Sequence, residues 1–246
     1  MVSSTMDTPV ITYAPEKEDI VIGEKEAYRY LGYNPEWIAG MRRERNNDYV
    51  VDTDSDTDHA IDTASDADPA SLETVTGYIR EAIAMTRAAM VPKACYARFP
   101  VEVRGDGRIV LPYGEVVSRD LTRNLSGCRE IFLFAATIGV EYDRLLRRTR
   151  VASMAKAAIL QAAGAAAVES LCNCLNDDLK QCAGAEGYKA HPRYSPGYGD
   201  YALENQKGIF DVLQPSRYIG LSLMDTLIMA PEKSVTAVIG LEPEES

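Results

Sequence analysis

The sequence predicts an α+β fold, in which helices flank a mostly antiparallel, twisted sheet. Helix and strand patterns follow one another irregularly along the 246 residues, without the regular strand–helix–strand repeat of a parallel sheet. Two β-rich runs on either side of the turn Arg104–Gly107 indicate a hairpin, and hairpins pair antiparallel. Hydrophobic residues make up 46% of the chain, which is enough for a substantial core. We therefore expect a single domain over 1–246.

The N-terminal half contains four strand patterns and four helix patterns. The predicted strands are 10–13, 96–99, 101–103 and 109–111. The predicted helices are 23–33, 34–45, 72–91 and 118–125. The helix at 72–91 has the clearest pattern, because its apolar residues recur every three or four positions.

The C-terminal half begins with the apolar run Ile131–Ala136, which predicts a strand covered on both faces. An Arg-rich helix is expected after Gly139, and 151–183 is the longest helical pattern in the chain, with Gly164 as a point where it can bend. The remaining predicted elements are a helix at 203–213 stopped by Pro215 and strands at 219–223, 227–229 and 234–239.

Residues 46–71 form an acidic insertion, with eight Asp between Asp48 and Asp68 and no Lys or Arg. So little apolar surface cannot offset the entropy cost of ordering, and the composition predicts disorder. The alternative is a calcium loop opening at Asp52, but Thr57 stands where that loop requires glycine and Thr63 where it requires glutamate. We therefore favour the disordered insertion.

Composition also restricts the partners and the compartment. The net charge of −11 argues against nucleic acid as a ligand. The first thirty residues lack a signal-peptide pattern, and no uncharged apolar stretch of about 20 residues is present. We expect a cytoplasmic protein.

Five cysteines occur, an odd number, in apolar or helical surroundings, and they are expected to be reduced. Cys172, Cys174 and Cys182 are candidate metal ligands, but Cys-x-Cys on a helix directs its two thiols to different faces. Buried structural cysteines, and no metal site, are therefore the prediction.

The segment 191–200, His-Pro-Arg-Tyr-Ser-Pro-Gly-Tyr-Gly-Asp, has the composition of a shaped binding loop. Its prolines restrict the backbone and its glycines allow conformations closed to other residues. Arg193 supplies a planar set of donors suited to a carboxylate, and Tyr194, Tyr198 and Tyr201 supply flat apolar faces with a polar tip. Taken alone, the segment is also typical of a surface turn with an aromatic anchor.

Familiar catalytic motifs are absent from the sequence. There is no phosphate-binding Gly-x-x-x-x-Gly-Lys-Ser/Thr, no dinucleotide fingerprint and no His-Glu-x-x-His. The chain has two histidines, His59 and His191, so an enzyme with a histidine base would have to use His191. Backbone groups and the Arg and Tyr side chains are better suited to binding and positioning a small polar molecule than to attacking one.

The short motif Arg193-Tyr-Ser-Pro-Gly-Tyr198 has the form Arg-x-x-x-Gly-Tyr, and four further segments accompany it along the chain. These are Ile131–Gly139, the helix bearing Ala167-Val-Glu169, Ile219–Pro231 and Lys233-Ser-Val235. The motif and these segments resemble, in the same order, parts of the activation (reactivation) domain of cobalamin-dependent methionine synthase. The resemblance extends over 95–242, and it implies that family's α+β fold.

The resemblance also implies roles for individual residues. Arg193 would hold the carboxylate of S-adenosylmethionine, and Tyr198 would lie toward the reacting methyl group or the corrin, which makes it the one candidate for a catalytic role. Glu169 would bind polar groups of the ligand; its alternative is a solvated place on the outer side of the helix. Tyr194, Ser195, Pro196 and Gly197 would complete the binding loop.

The function implied is that of an accessory protein that supports reductive remethylation of cob(II)alamin. The cobalamin would be carried by a separate methionine synthase chain, and a flavodoxin-like protein would supply the electron. The sequence departs from the family in two places, because the ligand-binding N-terminal aspartate has no evident match and the C-terminal aromatic residues are missing. The alternative is therefore an adaptor that docks a corrinoid protein of another methyltransferase system without binding S-adenosylmethionine.

Overall fold

The structure, a computed structural model, describes residues 8–33 and 69–244. The predicted helix at 34–45 and the acidic insertion with its calcium alternative lie outside the described residues, apart from the last positions of the insertion. Those positions, from Pro69 onward, belong to the first turn of a helix.

The main sheet has five strands, all antiparallel, and confirms the predicted fold class. In spatial order the strands are β1 (Ile11–Tyr13), β2 (Lys93–Pro100), β6 (Glu130–Thr137), β10 (Ser234–Pro243) and β7 (Tyr188–Ala190). β6 is the middle strand, and Ile131 to Thr137 are all buried. This burial explains its uninterrupted apolar sequence, as predicted.

Two smaller antiparallel sheets accompany the main one. The first contains β3 (Glu102–Val103), β4 (Arg108–Leu111) and β5 (Gly114–Val117), and the second contains β8 (Ser222–Leu223) and β9 (Met229–Ala230). β3 and β4 form the hairpin expected around Arg104–Gly107.

The described helices also agree with the sequence patterns in most places. They are α1 (Glu24–Tyr30), α2 (Pro69–Ala89), α3 (Arg119–Asn124), α4 (Val140–Ala152), α5 (Met154–Ala185), α6 (Asn205–Leu213) and α7 (Pro215–Ile219), with a 3₁₀ turn at Lys17–Asp19. Ser118 caps α3, since its Oγ accepts a hydrogen bond of 3.0 Å from the backbone N–H of Leu121. Gly164 does not interrupt α5, which is a single helix.

Two predicted boundaries near the C-terminus are wrong. Pro215 ends α6, as expected, but it also begins α7, because proline fits the first turn of a helix, where no N–H is needed. The strand predicted at 219–223 is therefore helical at Ile219 and begins only at Ser222. The strand predicted at 227–229 begins at Met229, after Leu227 with φ of 64°.

The chain divides into two compact units. One comprises the chain up to Ile20, Met90–Arg144 and the chain from Val168 onward; the other comprises Val21–Ala89 and Leu145–Ala167. The first unit contains the main sheet, and the side of the sheet bearing Leu133 and Val238 packs against Ile209 and Leu213 of α6. The prediction of a single domain stays a prediction.

α5 is long and apolar enough to span a membrane, by length and composition alone. However, 56% of its most apolar window is buried inside the protein. The same composition is found in the core helices of globular proteins, so this helix is weak evidence for a membrane span.

Candidate functional site

The segment 191–200 continues the line of β7 along the edge of β10. The backbone N–H of His191 donates to the carbonyl of Gly240 at 2.8 Å. Tyr194 and Val238 exchange two backbone hydrogen bonds, of 2.8 and 2.9 Å. The main sheet therefore positions Arg193, which lies between these two anchor points.

A tight turn follows, and its glycines are required by the backbone. Gly197 has φ of 94° and donates its N–H to the carbonyl of Tyr201 at 2.7 Å. Gly199 has φ of 53°, and a Cβ there would overlap the Asp120 carboxylate and the Tyr194 hydroxyl. Side chains at these positions would strain or displace the loop.

The end of the loop is bound to the beginning of α3. The Asp200 carboxylate accepts hydrogen bonds from the Ser118 hydroxyl and from the backbone N–H groups of Arg119 and Asp120, the latter two at 2.8 and 3.1 Å. The hydrogen bond from Ser118 contributes most to holding the pKa of Asp200 below its ordinary value, and the two backbone bonds act in the same direction. The loop thus has fixed attachments at both ends.

Arg193 forms an ion pair with Glu169 of α5 through its Nη2. Its Nη1 donates to Oδ1 of Asn173 at 2.7 Å. Glu169 and Asn173 are four positions apart on α5, so their side chains lie on the same face of the helix. The solvated alternative for Glu169 therefore does not hold, since its side chain is only 33% exposed and faces the loop.

A cleft of about 710 Å³ lies beside this ion pair. Of the predicted site residues, it is lined by Glu169, Arg193, Tyr194, Ser195, Pro196 and Tyr198. Gly197 does not line it and acts only through the shape of the turn. Tyr198 is 67% exposed.

His191 is directed away from the cleft. Its Nδ1 contacts the carbonyl of Asn124, and its Nε2 lies 3.0 Å from the Glu242 carboxylate. The hydrogen bond from His191 is the main reason why the pKa of Glu242 is below its ordinary value. His191 therefore fixes the start of the loop, and the hypothesis of a histidine base in this cleft has no geometric support.

Other residues of the cleft were not named as site residues from the sequence, although Pro192 belongs to the predicted binding loop and Met229, Ser234 and Val235 to the similar segments. They are Asn176, Pro192, Gln206, Met229, Ser234, Val235 and Thr236. Asn176 had one available signal, because it is seven positions after Glu169 and so shares its helix face. The others come from the loop, α6, β9 and β10, and no local pattern connects these elements.

At Thr236, one edge of β10 faces the cleft without a neighbouring described strand. The bonds between Val238 and Tyr194 show that the backbone groups of Val238 point away from β6. Backbone groups two residues apart on a strand point to the same side, so those of Thr236 also point away from β6. Backbone donors and acceptors are thereby presented to the cleft.

Two buried polar side chains also line the cleft. Gln206 is 6% exposed and Thr236 is 2% exposed. Neither Oε1 of Gln206 nor Oγ1 of Thr236 has a hydrogen-bond partner among the described residues. Such unpartnered groups are rare in folded proteins.

The described residues contain no group of three or more His, Cys, Asp or Glu side chains arranged to hold a metal ion. The cleft instead offers a guanidinium, a carboxylate, neutral amides, hydroxyls and apolar surfaces. Such a set of groups is suited to binding and orienting a polar organic molecule.

Neither family models nor curated protein sequences match the chain. Among solved structures, it is similar to the crystal structure of the MetH reactivation domain bound to AdoHcy. The TM-score is 0.60 and the sequence identity 14%, and the alignment covers 97% of this chain and 80% of the other. The similarity therefore lies in the fold, and the chain has the fold of the MetH reactivation domain.

Proposed function

We propose that this protein binds S-adenosylmethionine in the cleft beside Arg193 and supports the reductive remethylation of cobalamin on a separate methionine synthase chain. The observation that carries the proposal is the Arg193–Glu169 ion pair at the cleft of a fold whose solved relative is bound to AdoHcy. AdoHcy is S-adenosylmethionine without its transferable methyl group.

The ion pair suits the amino-acid end of this ligand. That end is a zwitterion, with a carboxylate and an ammonium group on one carbon. Arg193 offers a guanidinium to the carboxylate, and Glu169 offers a carboxylate to the ammonium. A guanidinium has five N–H donors, so its bonds to Glu169 and Asn173 are compatible with a further bond to the ligand.

The remaining walls suit the uncharged part of the ligand. Tyr194, Pro196, Met229 and Val235 contribute apolar surface for the nucleoside and the carbon chain at the sulfur. Tyr198, exposed at the cleft, is placed to face a group brought by another protein.

When bound, S-adenosylmethionine supplies an activated methyl group on its sulfonium, and the reduced cobalt of the partner's cobalamin accepts it. The chain's own contribution is positioning: Arg193 and Glu169 fix one end of the ligand, and the rigid turn at Gly197 holds Tyr198 beside it. This role requires no acid or base from the protein. The protein would therefore be the reactivation component of a methyltransferase and not a complete enzyme.

The partners belong to the same proposal. They are a cobalamin-dependent methionine synthase or another corrinoid protein, with a flavodoxin-like electron donor, all in the cytoplasm. In this proposal the partner, and not this chain, carries the cobalamin.

The test is calorimetry of S-adenosylmethionine binding. Arg193→Ala should weaken binding by about 30-fold or more, since it removes charge-assisted hydrogen bonds and leaves Glu169 without its cation. Arg147→Ala, at an exposed position on α4, is the matched control and should bind normally. Absence of binding by the unmodified protein would contradict the proposal.

A further inference from the structure

Gln206 and Thr236 are two further polar side chains that line the cleft, apart from the Arg193–Glu169 pair. Both line the cleft, and both are more than nine-tenths buried. Thr236 shares its strand face with Val238, which belongs to the same buried apolar cluster as Ile209 of α6. Gln206 belongs to α6 as well, so the two side chains lie on the α6 side of the sheet.

The two side chains carry uncharged hydrogen-bonding groups without a partner in the described part of the chain. These are Oε1 of Gln206, an acceptor, and Oγ1 of Thr236, a hydroxyl that both donates and accepts. Leaving such a group buried and unpaired destabilises the folded protein. A ligand that supplies the missing donor removes this destabilisation when it binds.

The chemistry of the pair favours an amino-substituted heterocycle. A glutamine amide presents an acceptor beside a donor, and this matches the amino group and adjacent ring nitrogen of adenine, a pairing that glutamine also makes with adenine in DNA. The charged end of the ligand is already accounted for by Arg193 and Glu169. The uncharged adenine base of the ligand is then left to pair with the uncharged side chains of Gln206 and Thr236.

We propose that Gln206 and Thr236 recognise the adenine base, with Oε1 of Gln206 accepting a hydrogen bond from the exocyclic amino group. This inference rests on the proposed function, and it adds the residues that make the site specific for an adenosyl ligand. The Thr236 hydroxyl pairs with a ring nitrogen or a ribose hydroxyl on the same side.

The experiment compares two ligands in calorimetry. One is S-adenosylhomocysteine and the other is its 6-deamino analogue, in which hydrogen replaces the exocyclic amino group. The unmodified protein should bind the amino form about tenfold more tightly, the value of one net hydrogen bond. Gln206→Met keeps the side-chain length but removes the acceptor, so this variant should bind both ligands equally.

The stability of Gln206→Met provides a second readout. Replacing an unpaired buried amide by an apolar side chain of similar shape is nearly neutral or stabilising, so the melting temperature should not fall. A purely structural role for Gln206 predicts the opposite, a lower melting temperature with unchanged selectivity. Gln161→Met, outside the cleft, is the matched control and should keep the tenfold preference.

The experiment separates a failure of this inference from a failure of the proposed function. If the unmodified protein binds neither ligand, both the proposed function and this inference are overturned. If it binds and Gln206→Met keeps the preference for the amino form, only this inference is overturned. Thr236→Val, measured in the same way, should lose about three- to tenfold in affinity, and unchanged affinity would exclude Thr236 from recognition.

Discussion

Gly197 is the residue on which the shape of the binding turn depends most directly. Its φ of 94° is a conformation that residues with a side chain rarely adopt, and a Cβ there would lie 3.2 Å from Cδ1 of Leu203. We expect Gly197→Ala to destabilise the protein by about 1–2 kcal/mol. Binding of S-adenosylmethionine should weaken as well, since the turn lies between Arg193 and Tyr198.

Gly105→Ala is the control for this measurement. Gly105 has no positive φ, and a Cβ there would meet nothing within 4 Å. Thermal unfolding and calorimetry on both variants give the comparison. Equal melting temperatures for the two variants would show that the turn is not conformationally constrained as described.

At the same scale, the sequence could predict Arg193 but not Gln206. Arg193, Gly197 and Tyr198 belong to one short motif, so their proximity follows from the chain itself. Gln206 becomes notable only because it is buried with an unpaired Oε1, and both properties depend on elements far away in sequence. His191 is the reverse case: its residue type suggested chemistry, but the fold places its ring against Asn124 and Glu242.

Among the elements, α5 shows most clearly how helix faces separate chemical roles. Glu169 and Asn173 face the binding loop, and Cys172 is fully buried, as predicted. Cys174 is only half-buried and Cys182 is exposed, so the prediction of a buried cysteine is wrong for Cys182. Burial raises the pKa of the Cys172 thiol to about 12. The fraction of thiolate near pH 8 is then roughly a thousandfold lower than for an ordinary cysteine. Only the thiolate is reactive, so Cys172 should react correspondingly slowly.

We therefore expect iodoacetamide at pH 8 to modify Cys182 first and Cys172 at least about 100-fold more slowly. Burial also raises the pKa values of Cys95 and Cys128 to about 12, so these two thiols should react slowly too. Mass spectrometry of the native protein at successive times gives the order. In urea, all five should react at similar rates, and rapid labelling of Cys172 in the native state would contradict its burial.

Elements were predictable where their residues are buried in a regular pattern. β6 is apolar throughout because both its faces are covered, and that run is unmistakable in the sequence. β7 has only three residues and no apolar alternation, since its pairing with β10 depends on the backbone. This unpredicted strand is nevertheless the one that directs the loop toward the cleft.

At the scale of the whole molecule, the proposed function requires two proteins to meet at the cleft. In that proposal Arg193 and Glu169 fix the ligand, and the partner brings the methyl acceptor. Tyr198 is 67% exposed and lines the cleft, so it is the residue best placed to contact both the ligand and the incoming corrin. Substitution of Tyr198 should therefore affect the binding of S-adenosylmethionine and the transfer of its methyl group to different extents.

We expect Tyr198→Ala to change S-adenosylmethionine affinity by less than about threefold and to lower methyl transfer by tenfold or more, because positioning is lost more than binding. Transfer is measured with radiolabelled S-adenosylmethionine, titanium(III) citrate as reductant and a cobalamin-loaded methionine synthase that lacks its own activation domain. Tyr218→Ala, at an exposed position on α7, is the control, and Arg193→Ala should lose both binding and transfer. If the two proteins associate equally with and without S-adenosylmethionine and no label is transferred by the unmodified protein, the chain is a docking adaptor, since only the adaptor makes association independent of the ligand.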